Sequence, residues 1–257
     1  MKILAIGDVV AKPGRACIER HLRKLKRETG ADLCIVNGEN AAGGNGIRRQ
    51  DYNTLIREGA DLITTGNHVW GNREIIELFD DGLSILRPAN YPPSVYGSGS
   101  AVLDLGQYRV GVINLMGRVG LEPLDCPFRT ADRIVEELRQ ECNMIVVDFH
   151  AEATSEKLAL ANYLDGRVSV VFGTHTHVQT ADEQILPGGT GYLTDLGMTG
   201  AIHSVLGMDT SVAIDRFVTK VNRRYVEAKG DAELRGALFT LDPASGKTIS
   251  VERIVRR

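Results

Sequence analysis

Short apolar runs alternate with amphipathic stretches through most of this chain. Leu33-Cys34-Ile35-Val36 is a continuous apolar run of the kind that forms a strand buried on both faces. Met1 to Asp8, ending at Gly7-Asp8, and Asp61 to Thr65 read as strands before and after it. Helical periodicity fills the gaps: Pro13 to Thr29 stopped by Gly30, Arg48 to Glu58 stopped by Gly59, and Asn72 to Phe79 stopping near Gly82. Three strand–helix units in succession predict a parallel sheet with right-handed crossovers.

Residues 87–99 are rich in Pro, Gly, Ser and Tyr and predict a long surface loop. Runs at 101–105 and 109–115 around Gly106-Gln107 predict a hairpin that adds antiparallel members to the sheet. A helix over 127–140 precedes a strand over 144–149, which delivers His150. A helix over 156–164, capped by Thr154 or Ser155, is followed by a strand over 168–172 that runs into Gly173-Thr174-His175-Thr176-His177. Strands at 184–186 and 190–194 flank the turn Pro187-Gly188-Gly189. A helix near 208–221 and strands near 236–241 and 248–255 complete the pattern. No internal repeat appears, so one domain over 1–257 is expected.

The balance of 43% hydrophobic to 25% charged residues excludes disordered, collagen-like and coiled-coil classes. A net charge of -3 argues against broad attraction to nucleic acid or anionic membrane. The basic face Arg20, Arg23, Lys24, Lys26 and Arg27 has no interleaved aromatics and reads as a solvated helix face, so no stable nucleic-acid complex is expected. The N-terminal apolar run is too short for a signal peptide, and no run approaches the roughly 18 residues of a spanning helix. A cytoplasmic protein with no membrane partner is expected. Cys17, Cys34, Cys126 and Cys142 lack metal-type pairing and read as ordinary thiols.

The chemistry lies at the strand ends. Asp8, Glu39, Asn40, Asn67, His68, His150, His175 and His177 all follow apolar runs, and they include four of the six histidines. Strands of α/β folds deliver functional groups from their carboxyl ends, so these side chains are expected to share one site. In an extended segment His175 and His177 face the same way and reach one centre or two adjacent ones. Imidazole with carboxylate suits Fe, Mn and Zn. Seven donors fit two octahedral ions sharing a bridge better than one ion, and Glu39 is the acidic group besides Asp8 that could bridge them. Two carboxylates and a hydroxide against two divalent ions leave a formal charge of about +1, which suits an anionic substrate.

Gly7-Asp8, Gly66-Asn67-His68, the lone His150 and Gly173-Thr174-His175-Thr176-His177 resemble, in order, the signature blocks of the calcineurin-like metallophosphoesterase superfamily. Gly38-Glu39-Asn40-Ala41-Ala42, the stretch from His150 to Lys157, Thr174 to Asp182, Asp195 to Gly200 and Leu206 to Asp209 resemble its bacterial YmdB-like branch more closely. The resemblance implies a four-layered α/β/β/α sandwich with mixed sheets. It also implies a dinuclear centre, Fe or Mn before Zn, and a homo-oligomer. Two departures stand out: the usual Asp-x-His is Asp8-Val9-Val10, and Glu39 replaces the bridging aspartate. The branch resemblance implies Asn40 as the substitute oxygen donor, giving one ion Asp8, Glu39, Asn40 and His177 and the other Glu39, Asn67, His150 and His175. By the same resemblance His68 sits near the phosphate and protonates the leaving oxygen. The implied reaction is in-line attack by a hydroxide held between the ions, opening 2′,3′-cyclic nucleotides to nucleoside monophosphates.

Two rivals remain at this stage. One is a phosphomonoesterase or nucleotidase, since the same ions would serve a dianion. The other is a metal-containing regulatory or binding protein with vestigial hydrolysis. Gly43-Gly44-Asn45-Gly46 lacks the Lys and spacing of a P-loop and reads as a flexible active-site loop. Trp70 and Tyr91 read as packing aromatics before base-stacking ones, and His203 as a surface histidine before a rim residue.

Overall fold

In the computed structural model, which describes residues 1–257, the first half of the chain forms β1 (Lys2–Ile6), α1 (Ala11–Thr29), β2 (Leu33–Asn37), α2 (Arg49–Arg57), β3 (Leu62–Thr64) and α3 (Glu74–Asp80). The strands β1, β2 and β3 pair in that order and in parallel, as the strand–helix alternation predicts. Helix α1 buries Gly14, Cys17, Ile18, Leu22 and Leu25, a stripe at helical spacing. It ends where Gly30, at φ 63°, turns its N–H back to the carbonyls of Lys26 and Arg27.

The hairpin of β4 (Ser100–Asp104) and β5 (Arg109–Met116) corrects the sequence reading. It opens a second sheet instead of extending the first. β5 continues in parallel into β6 (Met144–His150), β7 (Val170–Thr174) and β9 (Gly191–Leu193), with β8 (Gln184–Ile185) antiparallel at the far edge. The helices α4 (Pro127–Leu138) and α5 (Thr154–Leu164) lie between these strands in the chain. Thr154 is the first residue of α5, not its cap; Ala153 holds the cap position and offers no side-chain acceptor. After β10 (Gly200–Ala201) and α6 (Thr210–Thr219), β11 (Ala232–Leu241) returns to pair antiparallel with β1, and β12 (Thr248–Arg256) lines its other side.

Alternation along the strands divides the apolar residues among three cores. Leu4, Ile6, Cys34 and Val36 meet α1 and α2 on one face of the first sheet. Their neighbours Ile3, Ala5, Leu33 and Ile35 face Val110, Val112, Val146 and Phe172 of the second sheet. Ile145, Val147 and Phe149 point the other way, onto Ile134 and Val135 of α4 and Leu160 and Leu164 of α5. Period-two side chains buried on both faces explain why these strands read as unbroken apolar runs. The outcome is a helix–sheet–sheet–helix sandwich with two six-stranded mixed sheets, the fold class that the resemblance implies. No helix is long and apolar enough to cross a membrane.

Phe172 stacks on Phe239 across the two sheets, with ring centroids 6.2 Å apart and 29° between planes. Phe172→Ala is expected to lower the free energy of unfolding by about 3–5 kcal/mol, through lost burial and a cavity that two sheets cannot close. Equilibrium urea denaturation measures it, with Phe172→Leu giving a smaller loss.

Candidate metal centre

The carboxyl ends of β1, β2 and β3 meet those of β6 and β7 at one edge of the sandwich. The first sheet delivers Asp8, Glu39 with Asn40, and Asn67 with His68; the second delivers His150, His175 and His177. Asp8, Glu39 and His150 have no solvent exposure and Asn40 has 2%. The convergence expected of the strand-end residues is therefore present. Gly66 makes room for it, since a Cβ there would collide with the His150 ring.

Four donors crowd together here, three of them around the Nε2 atom of His150. Asn67 Oδ1 lies at 2.9 Å, Glu39 Oε1 at 3.1 Å and His175 Nδ1 at 3.1 Å. Ligands at right angles around an ion about 2.1 Å away stand about 3.0 Å apart, so these separations suit neighbouring positions on one octahedral ion. Glu39, His150 and His175 also form a compact potential cation site by mutual distance, their ligand atoms all lying within 4.8 Å.

Hydrogen bonds behind the rings turn the lone pairs inward. Asp148 can only accept when ionised, so Thr174 gives it the hydroxyl proton at 2.7 Å, and Thr174 Oγ1 then accepts from His150 Nδ1 at 2.9 Å. That leaves His150 Nε2 as the inward lone pair. The Leu206 carbonyl does the same for His177, taking its Nδ1–H at 3.2 Å. Glu152 lies 3.0 Å from His175 Nε2, which leaves Nδ1 for the centre. Asp8 Oδ1 is buried with no hydrogen-bond partner. An orphaned carboxylate oxygen beside inward imidazole lone pairs is the chemistry that a divalent cation satisfies.

The second group of donors is looser. His177 Nε2 stands 3.7 Å from Asp8 Oδ1. Asn40 turns its amide nitrogen, not its oxygen, toward this group, at 3.2 Å from Glu39 Oε1 and 3.3 Å from His177 Nε2. Its Oδ1 instead faces His68 Nδ1 at 2.7 Å. An oxygen-donor role for Asn40 requires the amide rotated by half a turn. His68 does not enter the donor cluster; its backbone N–H donates to Glu39 Oε2 at 3.0 Å and its ring borders the cleft.

The electrostatics follow from burial. Burial pushes the Asp8 and Glu39 carboxyls up, but His177 and His150 beside Asp8 hold it below its usual range, and His150 and His68 hold Glu39 well below. Burial pulls His150 down, yet Glu39 and Asp8 outweigh it and raise His150 to about 9. Burial and the neighbouring His150 charge lower His175 to about 4. Asp148 is raised by burial to about 6, opposed by bonds from Thr64 and Thr174. A cation on the His150 lone pair competes with the proton there, so metal affinity rises with pH through this range.

His175 and His177 do not converge by strand alternation, which corrects the sequence reading. β7 ends at Thr174, and the two histidines sit at φ 97° and 62°, in the left-handed region. Such non-glycine residues cost about 1–3 kcal/mol each and persist where their surroundings over-determine them. Here the His175 N–H donates to Asp8 Oδ2 at 3.2 Å and the Thr176 N–H to Asp195 Oδ2 at 3.1 Å. Lys157 neutralises Asp195 at 2.7 Å inside the protein.

Asp148, Glu152, Lys157, Thr174 and Asp195 are the supporting residues that sequence reasoning missed. A charge inside the apolar run of β6 and a carboxylate two residues after His150 were the available signals for Asp148 and Glu152. Asp195 follows a strand just as Asp8 does. Trp70 and Tyr91 pack edge to face at 5.7 Å, as expected for packing aromatics, and His203 is exposed and borders neither cleft at the centre.

The chain is similar to known proteins over nearly its whole length. The YmdB-like protein family model matches residues 4–254. The 2′,3′-cyclic-nucleotide 2′-phosphodiesterase of Bacillus subtilis (strain 168) is 48% identical over 255 residues, spanning 99% of this chain and 97% of the relative. The crystal structure of a hypothetical protein from Thermus thermophilus superposes with a TM-score of 0.95 at 41% identity, over 100% of this chain and 99% of the other. A structure described as a novel phosphatase from Mycoplasma pneumoniae gives 0.94 at 35% identity, over 100% and 93%.

Thr174→Val keeps the shape of the side chain but removes the oxygen that fixes the His150 ring. It is expected to weaken Mn(II) binding by about 10–100-fold, measured by calorimetric titration after chelator treatment, whereas Thr174→Ser retains affinity.

Proposed function

Because the chain belongs to the YmdB-like family of calcineurin-like metallophosphoesterases, we propose that it is a dinuclear-metal phosphodiesterase opening 2′,3′-cyclic nucleotides to nucleoside monophosphates. The observation that carries the reading is the convergence of donors from both sheets on the buried carboxylate of Glu39. In this reading Glu39 would belong to the donor sets of both ions. Asn67, His150 and His175 complete one set; Asp8, Asn40 and His177 complete the other. Fe or Mn suits this nitrogen and oxygen donor set, with Zn the further alternative. The substrate class comes from the name of the Bacillus subtilis relative. The chain acts as one domain, and its four free cysteines suit the reducing cytoplasm.

When bound, the ions supply the nucleophile and neutralise charge on the phosphoryl oxygens. The chain's own residues do the rest. Asp8 and Asp195, taking the backbone N–H groups of His175 and Thr176, hold the loop that carries His175 and His177 and so keep the donor set in place. His68 has 39% side-chain exposure, enough to meet a substrate in the cleft. With the Asn40 amide rotated as its oxygen-donor role requires, its N–H would face His68 Nδ1 across the 2.7 Å contact and put the ring proton on Nε2, the atom free to deliver it to the departing ribose oxygen. Opening a cyclic diester expels an alkoxide, a strong base that leaves poorly unless protonated.

His68→Ala is expected to lower kcat on a 2′,3′-cyclic nucleotide by about 10²–10⁴-fold. The loss on bis-p-nitrophenyl phosphate is expected to be much smaller, because p-nitrophenolate departs without a proton. Equal losses on both substrates would remove the proton-donor role.

Glu39→Gln is expected to lose bound metal and turnover together, with metal content and kinetics read on the same sample. Retention of both sinks the shared-carboxylate assignment. With Mn or Fe, the wild type should cleave bis-p-nitrophenyl phosphate faster than p-nitrophenyl phosphate. The reverse order favours a monoesterase, and no turnover with two ions bound favours a binding protein.

A further inference from the structure

Two clefts meet at the metal centre, and they differ in character. The smaller, about 260 Å³, is polar and lined by Glu39, His68, Glu152, His175 and His177. The larger, about 580 Å³, shares Asn40, His68, His177 and Leu206 with it and extends away from the donors. Val10, Met208, Ala213, Phe217 and Tyr225 give this second cleft an apolar wall, and Arg216 stands beside them. The largest cavity of the molecule, about 830 Å³ around Arg87 and Arg129, shares no lining residue with either cleft and so does not extend the reactive site.

The apolar cleft is built for a flat ring with polar edges. Ala213, Arg216 and Phe217 lie three and four positions apart on α6 and so share one face of the helix. Phe217 is 69% exposed; the Lys220 ammonium stands over its ring 5.8 Å from the centroid, but no protein ring stacks on it. In the same cleft, Tyr225 lies against two glycines. A Cβ at Gly44 would stand 2.7 Å from its ring carbons, and one at Gly207 would stand 3.2 Å from its hydroxyl. Both glycines also have positive φ, 89° and 90°. The Tyr225 hydroxyl is buried, yet it makes no hydrogen bond. Arg216 at the rim is exposed to solvent. A buried hydroxyl without a partner in an apolar cleft next to the metal centre can fix the orientation of a ligand.

We propose that this cleft is the base subsite: the nucleobase of the substrate stacks on Phe217 and is held at its edge by the Tyr225 hydroxyl, while the cyclic phosphate reaches the metal centre past His68. This inference rests on the phosphodiesterase reading and adds where selectivity for a nucleotide over other diesters originates. Burial raises the Tyr225 phenol to about 12, so it remains a neutral hydrogen-bond donor throughout the working pH range. A base-free diester makes the phosphate contacts and forgoes these.

The test compares 2′,3′-cyclic AMP with the base-free methyl riboside 2′,3′-cyclic phosphate on the Mn-loaded protein. Phe217→Ala should reduce the ratio of the two kcat/KM values about tenfold, mainly through KM for the nucleotide. Tyr225→Phe should reduce it about threefold to tenfold. An unchanged ratio in both variants overturns the proposal, even if both rates fall together. Wild-type protein that cleaves neither diester refutes the phosphodiesterase reading instead. In that case calorimetric titration with adenosine decides: binding weakened by Phe217→Ala supports the subsite, and no binding to the wild type overturns it. Sedimentation velocity covers the competing occupant, because a Phe217→Ala variant that dissociates from an oligomer with its ratio intact assigns this face to a second copy of the chain.

Discussion

Two carboxylates, Asp8 and Glu39, lie fully buried where the two sheets meet, and their ion-pair partners are imidazoles alone. Taking such a group out of water costs several kcal/mol even after relaxation, so the fold must supply compensation. The surrounding architecture can be read as the supply. β6 brings His150 from the opposite sheet, the segment after β7 brings His175 and His177, and the turn after β3 brings the His68 backbone N–H. No single strand could do this, because side chains from one sheet edge cannot surround a charge. Two sheets stacked with their carboxyl ends at the same edge can.

The loop carrying His175 and His177 shows what that convergence costs and what holds it. Its backbone is strained at both histidines. The strain is held by carboxylates on either side, Asp8 and Asp195, each taking one backbone N–H. Asp195 is itself buried and would be costly alone, but Lys157 of α5 neutralises it. A lysine on an outer helix thus stabilises the carboxylate that holds the Thr176 backbone between the two histidines. Thr174, one residue before the loop, sets the tautomer of His150 by the same kind of relay, passing the demand of Asp148 to the ring. The layer behind the donors consists of hydrogen-bond acceptors with nothing left to donate, and that is why the lone pairs face inward.

Much of this was legible in the sequence because local signals and tertiary placement coincide. Apolar runs bounded by glycine located the strands, and polar groups directly after them located Asp8, Glu39, Asn67, His150 and His175. The hairpin at 100–116 was recognisable, but its sheet was not, since pairing within a hairpin carries no information about which other strand it joins. The left-handed backbone at His175 and His177 was invisible for a related reason: a non-glycine residue gives no local warning of positive φ, which tertiary bonds impose. Asn40 was identified by position, while the orientation of its amide depends on the His68 ring across the cleft. The aromatic face of α6 lay in the third of the chain with the weakest pattern. Phe217 and Tyr225 acquire meaning only when the fold places them beside Gly44 and His177.

Val10 connects the departure from the superfamily pattern to the shape of the cleft. It occupies the place where the related signature has a histidine, and here its side chain forms part of the apolar wall, against Gly207. Its N–H is tied to the Thr199 carbonyl at 2.9 Å, so the position is held firmly in the wall. A histidine here would bring a polar ring and a proton equilibrium into the cleft. The valine brings neither, and its loss of a donor coincides with an amide, Asn40, on the adjacent strand end. In the proposed reading one substitution has two consequences. The donor set shifts from imidazole to amide on one ion, and the space released beside it becomes apolar enough to accept a ring. The chemistry at phosphorus and the recognition of what is attached to it would then be set by residues at two adjacent strand ends.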